Sequence, residues 1–310
     1  MVKTEGSKRK VTTIQIQNSK ATKHETTANM SSKQATLNNF DPLEAARRYI
    51  QQATRRCKSR GKLILESGSF SNKRFSVSAA TDSGAKTENE DYVALFQSDS
   101  HPQEIAIAIA DGVGSSLLSE VAAKLACVTA LGMIATAKRF DDAFPIQTAS
   151  RVLRRIGSRI KNASSIRLPD SVCPSMWDAA VEYQKVFQTT LTVIWTDDEQ
   201  LKILSLADGG ILASATDEEV KFMKLNEHCI GIGPFVYNVA PRALLFDELD
   251  CLSVFTDGFN ELAEDNIDFR DQLVGLDGRS AKESMETGLR EHSEYIEDNT
   301  TLCQVRWLRD

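Results

Sequence analysis

The chain lacks several signals that would settle its class at once. Its six cysteines, Cys57, Cys127, Cys173, Cys229, Cys251 and Cys303, include no CxxC pair, so neither a zinc knuckle nor a disulfide framework is expected. Most lie in apolar runs, where cysteine behaves as a small hydrophobe. No cysteine stands in a phosphate-cradling loop; the one Cys-x5-Arg spacing, Cys303 to Arg309, begins inside an expected strand. The four histidines, His24, His101, His228 and His292, form no zinc constellation. The first ten residues contain no apolar stretch, and no run of about 18 apolar residues occurs, so no secretory signal and no membrane span are expected. Aromatic residues are only 7% of the chain, leaving aliphatic side chains to build the core. A reduced, cytoplasmic protein is the expectation.

What is present is unevenly charged. Residues 1–60 carry thirteen Lys and Arg against four Asp and Glu, or +9. The other 250 residues carry 24 basic and 39 acidic side chains, or −15. An acidic body argues against nucleic acid as its main ligand and suits divalent cations. Residues 1–40 are rich in Lys, Thr, Ser, Asn and Gln and read as a disordered basic tail, with Lys8, Arg9 and Lys10 as contacts should it dock anywhere. Residues 41–60 read as a basic amphipathic helix or linker. Asp41 is its expected N-cap, Pro42 its first residue, and Glu44 stands three after the cap. Its apolar residues recur at helical spacing, and Arg47, Arg48, Arg55 and Arg56 make the other face basic. That helix could dock on the acidic body or on a partner.

Residues 61–310 read as one domain. Strands are expected at Lys62–Glu66, Phe75–Ala80, Tyr92–Gln97 and Glu104–Ala110, followed by helices over Leu117–Lys138 and Ile146–Lys161. Residues 165–187 read as irregular, then helical. Strands resume at Thr189–Trp195, Leu201–Ala207, Ile211–Ala215, Val220–Leu225, Ala243–Phe246 and Cys251–Phe255. A helix over Ser280–Tyr295 and a strand over Thr300–Trp307 close the chain. This order predicts an α+β fold, a sandwich of two antiparallel β-sheets flanked by α-helices, rather than a βαβ repeat.

Five short acidic motifs sit at strand ends or turns: Asn89-Glu90-Asp91, Asp111-Gly112, Asp208-Gly209, Asp257-Gly258 and Asp298-Asn299. Alone, each Asp-Gly is a common turn dipeptide, and Asp208-Gly209, between two strands, reads most readily as only a turn. Asp111 and Asp257, however, each end a strongly apolar strand and so project from the rim of a buried sheet. Carboxylates gathered there repel one another and need a compensating cation. Hard oxygen donors suit Mg²⁺ or Mn²⁺.

The ordered set Lys86-x-x-Asn89-Glu90-Asp91, Asp111-Gly112, Thr189-Thr190, Ala207-Asp208-Gly209, Asp257-Gly258 and Asp298-Asn299 resembles the metal-dependent type 2C protein phosphatases, the PPM family, over roughly residues 75–307. The resemblance implies the two-sheet sandwich and hydrolysis of phosphoserine and phosphothreonine by a water activated between two Mn²⁺ or Mg²⁺ ions. Asp111 would bridge the ions. Asp257 and Asp298 would hold the first, and Glu90 with the Gly112 carbonyl the second. Asp91 would orient the water, and Lys86 would grip the phosphate where the family usually has arginine. Asp208 and Glu261, with Asp257, match a weaker third metal site. Val113 stands where some members carry a histidine, and Gly210 where an arginine is usual.

The implied partners are a phosphorylated protein and its cognate Ser/Thr kinase. Two alternatives are a pseudophosphatase that only binds a partner and a phosphatase of small phosphate esters. The segment His228-Cys229-Ile230-Gly231-Ile232-Gly233-Pro234 reads as a substrate-selecting flap or as a plain connecting loop.

Overall fold

Alternation of Ile and Ala along Ile105–Ala110 sets the plan of the molecule. Ile105, Ile107 and Ile109 point into one apolar layer, and Ala106, Ala108 and Ala110 into another on the opposite face. A strand buried on both faces belongs at the centre of a layered fold. The computed structural model describes residues 39–137, 144–163, 165–167, 172–182, 185–196, 200–215, 220–225, 229–231, 242–245, 249–274 and 278–308. All of these belong to the unit spanning residues 37–310. The tail reading falls almost wholly outside the described residues, as does most of the flap segment.

Among the described residues, twelve strands build the two main sheets: β1 (Gly61–Leu65), β2 (Gly68–Ser71), β3 (Phe75–Asp82), β4 (Tyr92–Ser98), β5 (Ile105–Ala110), β6 (Leu191–Thr196), β7 (Gln200–Leu206), β8 (Gly210–Ser214), β9 (Lys221–Lys224), β10 (Arg242–Leu245), β11 (Cys251–Phe255) and β12 (Thr300–Trp307). The first sheet runs β10-β7-β6-β5-β4-β1 and the second β9-β8-β11-β12-β3-β2. Every pairing within them is antiparallel. Between the sheets lie Phe75, Val77, Leu95, Ile107, Ile194, Leu252, Val254 and Val305. This is the expected α+β sandwich.

Helices cover both outer faces. On the first sheet lie α1 (Pro42–Lys58), α2 (Ser119–Thr136) and α3 (Pro145–Asn162), with α4 (Pro174–Glu182) contributing Trp177 to the same core. On the second lie α5 (Asn260–Asp265), α6 (Ile267–Val274) and α7 (Ala281–Glu291), packed through Phe259, Phe269, Leu273 and Met285. The small Ala residues of β5 let α2 approach closely. α2 is long and apolar enough to cross a membrane, but 67% of it is buried inside the fold. It is the central helix of the first layer, with the sheet on one side and α1 and α3 packed against it.

Local chemistry explains the ends. Asp41 Oδ1 accepts from Glu44 N–H at 2.9 Å, and Pro42 opens α1. The apolar face of α1 packs Ala46, Ala53 and Cys57 into the core, so the helix docks on the body of its own chain. Ser280 and Glu283 cap α7 reciprocally. That helix stops at Glu291, short of the expected Tyr295. The expected strand Thr189–Trp195 is interrupted at Thr190, because Thr189 pairs with Ile230 in a separate two-stranded ladder and bridges Gly112. Strand β2 and helices α5 and α6 were not anticipated.

Candidate metal centre

Strand register brings the acidic motifs to one rim. Tyr92 pairs with Ala110, so Glu90-Asp91 and Asp111 leave the first sheet at the same end. In the second sheet Gly210 pairs with Phe255, Phe255 with Leu302, and Thr300 with Asp82. Asp208, Asp257 and Asp298 therefore leave that sheet side by side, next to the chain that crosses from β3 to β4. Carboxylate oxygens of Asp111, Asp208 and Asp257 lie within 4.8 Å of one another. Asp208, the motif that reads most simply as a turn, stands inside the cluster.

The glycines explain how close the strands come. Gly112, Gly209 and Gly258 are not in the left-handed region. A Cβ on Gly209 would lie 2.0 Å from the Phe255 carbonyl oxygen, and one on Gly258 would lie 2.4 Å from that of Asn299. These Asp-Gly pairs mark backbone approach at the rim, which draws the neighbouring aspartates together.

The main chain that carries these carboxylates is braced by hydrogen bonds. Thr190 Oγ1 accepts from Asp111 N–H at 2.9 Å, Thr189 Oγ1 donates to the Asp111 carbonyl at 2.7 Å, and Thr190 N–H donates to that carbonyl at 2.8 Å. Thr256 Oγ1 donates to Asp91 Oδ2 at 2.6 Å and accepts from Thr301 N–H at 2.9 Å. Asn260 Nδ2 donates to the Asp208 carbonyl at 2.5 Å. Asn299, 1% exposed, ties the crossing segment together. Its Oδ1 accepts from Glu90 N–H at 3.0 Å, and its Nδ2 donates to the carbonyls of Ser83 at 2.9 Å and Glu88 at 3.1 Å. Neither Asn299 nor Thr256 stood out from the sequence as a positioning residue. The dipeptide Asp298-Asn299 held the signal for the first; nothing marked the second.

The remaining site residues surround this core. Lys86 Nζ contacts the Asp298 carboxylate and lies 3.4 Å from Glu90 Oε2. Ser119 Oγ donates to Glu90 Oε1. Asp298 lies outside the three-carboxylate cluster but bounds, with Asp257, Gly258, Glu261, Glu294, Tyr295 and Glu297, a cavity of about 410 Å³. Glu261 thus reaches the same rim through that cavity.

The electrostatics disfavour a cluster of ionised carboxylates without a cation. Burial, then the charges of Asp91 and Asp257, drive the Asp111 carboxyl far above the usual carboxylate range. Burial, then Asp208 and Asp298, pushes Asp257 up to about 7. Burial raises Asp91 as well, despite the Thr256 hydrogen bond. Asp91 Oδ1 is buried without a hydrogen-bond donor among the described residues. Burial would lower the Lys86 ammonium, but Asp298 and Glu90 carry it net above the ordinary lysine value. Like charges at this spacing cannot all ionise unless something positive joins them. The donors are hard oxygens converging on one point, so the residues fit a small divalent ion such as Mg²⁺ or Mn²⁺.

A family model described as "Protein phosphatase 2C" matches residues 81–229. No curated protein matches the chain significantly. Among solved structures, serine-threonine phosphatase 2C from Toxoplasma gondii superposes with a TM-score of 0.56 at 11% identity, covering 80% of this chain and all of the other. PppA, a regulatory component of the T6SS in Pseudomonas aeruginosa, gives 0.54 at 16% identity, covering 78% of this chain and 100% of its own. The serine/threonine phosphatase Stp1 from Staphylococcus aureus gives 0.50 at 16%, covering 81% and 97%. At these identities the likeness speaks for the fold. The matched segment carries Lys86, Glu90, Asp91, Asp111 and Asp208 of the rim and is similar to the protein phosphatase 2C family, and the solved structures share the sandwich fold.

Proposed function

We propose that this protein is a divalent-metal-dependent serine/threonine protein phosphatase whose centre is the rim of Asp111, Asp208 and Asp257. The observation that carries this reading is the convergence of the three carboxylates within 4.8 Å, with two of them pushed well above their ordinary range. Asp111 and Asp257 would hold one ion with Asp298. Glu90 and the Gly112 carbonyl would hold a second with Asp111. Asp208 and Glu261 stand where a third could bind. An Mn²⁺ or Mg²⁺ ion held by these residues would supply Lewis acidity, lowering the pKa of water and offsetting charge on a phosphoryl group.

The chain itself supplies the rest. Asp91, fixed by Thr256, presents a buried, unpaired oxygen beside Asp111, suited to orient a water by accepting its proton in a hydrogen bond. Lys86 offers an ammonium at the mouth of the same rim, a point charge for a phosphate oxygen. Binding a phosphate would draw it away from Asp298. The cavity beside Asp257 and Asp298 is open enough for a phosphorylated side chain and its backbone.

The test is hydrolysis of p-nitrophenyl phosphate and of a phosphothreonine peptide with added Mn²⁺. Wild type should turn over both, with activity lost in EDTA and in Asp111→Asn. No Mn²⁺-dependent turnover, or turnover unchanged in Asp111→Asn, would remove the catalytic reading.

A further inference from the structure

We propose that the outer face of α1 and α3 docks the protein on an anionic lipid bilayer surface. α2 is buried between the first sheet and these two helices, and α1 also contacts α3. The outward sides of α1 and α3 therefore form the surface of this layer. α1 carries five Lys and Arg and one acid, Glu44, while α3 carries five and no acid, so the pair presents ten bases against one acid. Among the described residues, only Arg48 of these ten makes an ion pair, with Glu44 at 2.8 Å. Arg159 lies over the Phe40 ring, 4.4 Å from its centroid, which leaves its charge uncompensated. Asp41 is occupied as the cap of α1.

Ten bases on a body that is otherwise acidic make a one-sided field. Such a face attracts a planar polyanion while the rest of the surface repels it. A bilayer is favoured over a nucleic acid by the N-cap of α3. Phe144 there is 60% exposed. Counting in helical steps from 144 through 148 and 151 to 155 puts it in line with exposed Arg151 and Arg155. Bases aligned with an exposed aromatic ring match the headgroup boundary, where the ring enters the apolar side and the cations meet phosphates. The segment before α1 has the same sign, with seven Lys and Arg against two Glu in residues 1–38. None of the metal-site carboxylates belongs to α1 or α3, so this surface is separate from the hydrolytic rim.

The test uses the full chain and cosedimentation with vesicles of phosphatidylcholine, with and without about one third phosphatidylserine. Binding is expected only to the anionic vesicles, with release at high salt as charges are screened. The exposed-face quadruple variant Arg47→Glu, Arg55→Glu, Arg151→Glu, Arg155→Glu should cut partitioning at least tenfold. Phe144→Ala should cut it several-fold. Thermal melting and p-nitrophenyl phosphate hydrolysis should stay as in wild type, which separates a failed surface from a failed fold or a failed catalytic centre. Equal binding to both vesicle types, or partitioning of the quadruple variant within twofold of wild type, would overturn the proposal. So would binding of a DNA oligonucleotide or a polyglutamate chain by a protein that ignores anionic vesicles.

Discussion

Replacing Asp257 by Asn should stabilise the metal-free protein, although it damages the site. Burial and the neighbouring aspartates raise the Asp257 carboxyl from an ordinary 3.8 to about 7. A group whose folded-state pKa is raised is tolerated while protonated. Its penalty is absent below about pH 4, grows through pH 4–7 and is complete above pH 7. About 3 units at roughly 1.4 kcal/mol each sets a ceiling of about 4 kcal/mol. Partial solvent access and relaxation bring the expectation to about 2–3 kcal/mol. For a protein of this size that is roughly 5–10 °C in Tm. Differential scanning fluorimetry in EDTA should therefore show Asp257→Asn melting higher than wild type at pH 8 and level with it at pH 4. Excess Mn²⁺ should reverse the order, because wild type gains ligand stabilisation that the variant has largely lost. A variant that melts below wild type in EDTA at pH 8, or a difference independent of pH, would refute the electrostatic account of the rim.

Other variants probe the supports. Asn299→Ala removes three hydrogen bonds to the crossing segment and should cost about 2–4 kcal/mol by urea unfolding, with weaker Mn²⁺ binding in calorimetry. Gly209→Ala places a Cβ 2.0 Å from the Phe255 carbonyl oxygen. It should cost about 2–3 kcal/mol by the same measurement and lower metal affinity, since the strands that carry Asp208 and Asp257 must part. Lys86→Ala should raise KM for a phosphopeptide more than it lowers kcat. Lys86→Arg should lower KM, because a guanidinium grips phosphate in two places.

Much of the fold could be read from the residues because its periodicities are strong. Ile and Ala alternate along β5, and the apolar runs of β11 and β12 fall where they were expected. α1 and α7 announce themselves through Asp41-Pro42 and through Ser280 with Glu283. The short β2 was missed because Gly68-Ser69-Phe70-Ser71 shows only one buried side chain and reads as a turn. α5 and α6 were missed because they are short and shape their apolar face around Phe259 and Phe269, which periodicity over so few residues does not reveal. At the site, the resemblance supplied the list of acids, but only register shows why they meet. Asp208 is the least legible of them, since a hairpin turn and a ligand share the same dipeptide. What distinguishes it is Gly209 pressed on the Phe255 backbone, a contact between strands about fifty residues apart. The supports Thr256 and Asn299 act across more than 150 residues of chain, as in Thr256 to Asp91, beyond any local pattern.

The most direct test of the metal centre is anomalous diffraction at the manganese edge from crystals soaked in Mn²⁺. Two peaks should appear at the rim, both against Asp111, one toward Asp257 and Asp298 and the other toward Glu90 and the Gly112 carbonyl. Peaks elsewhere on the surface, or none at the rim while Asp111, Asp208 and Asp257 keep their places, would contradict the account.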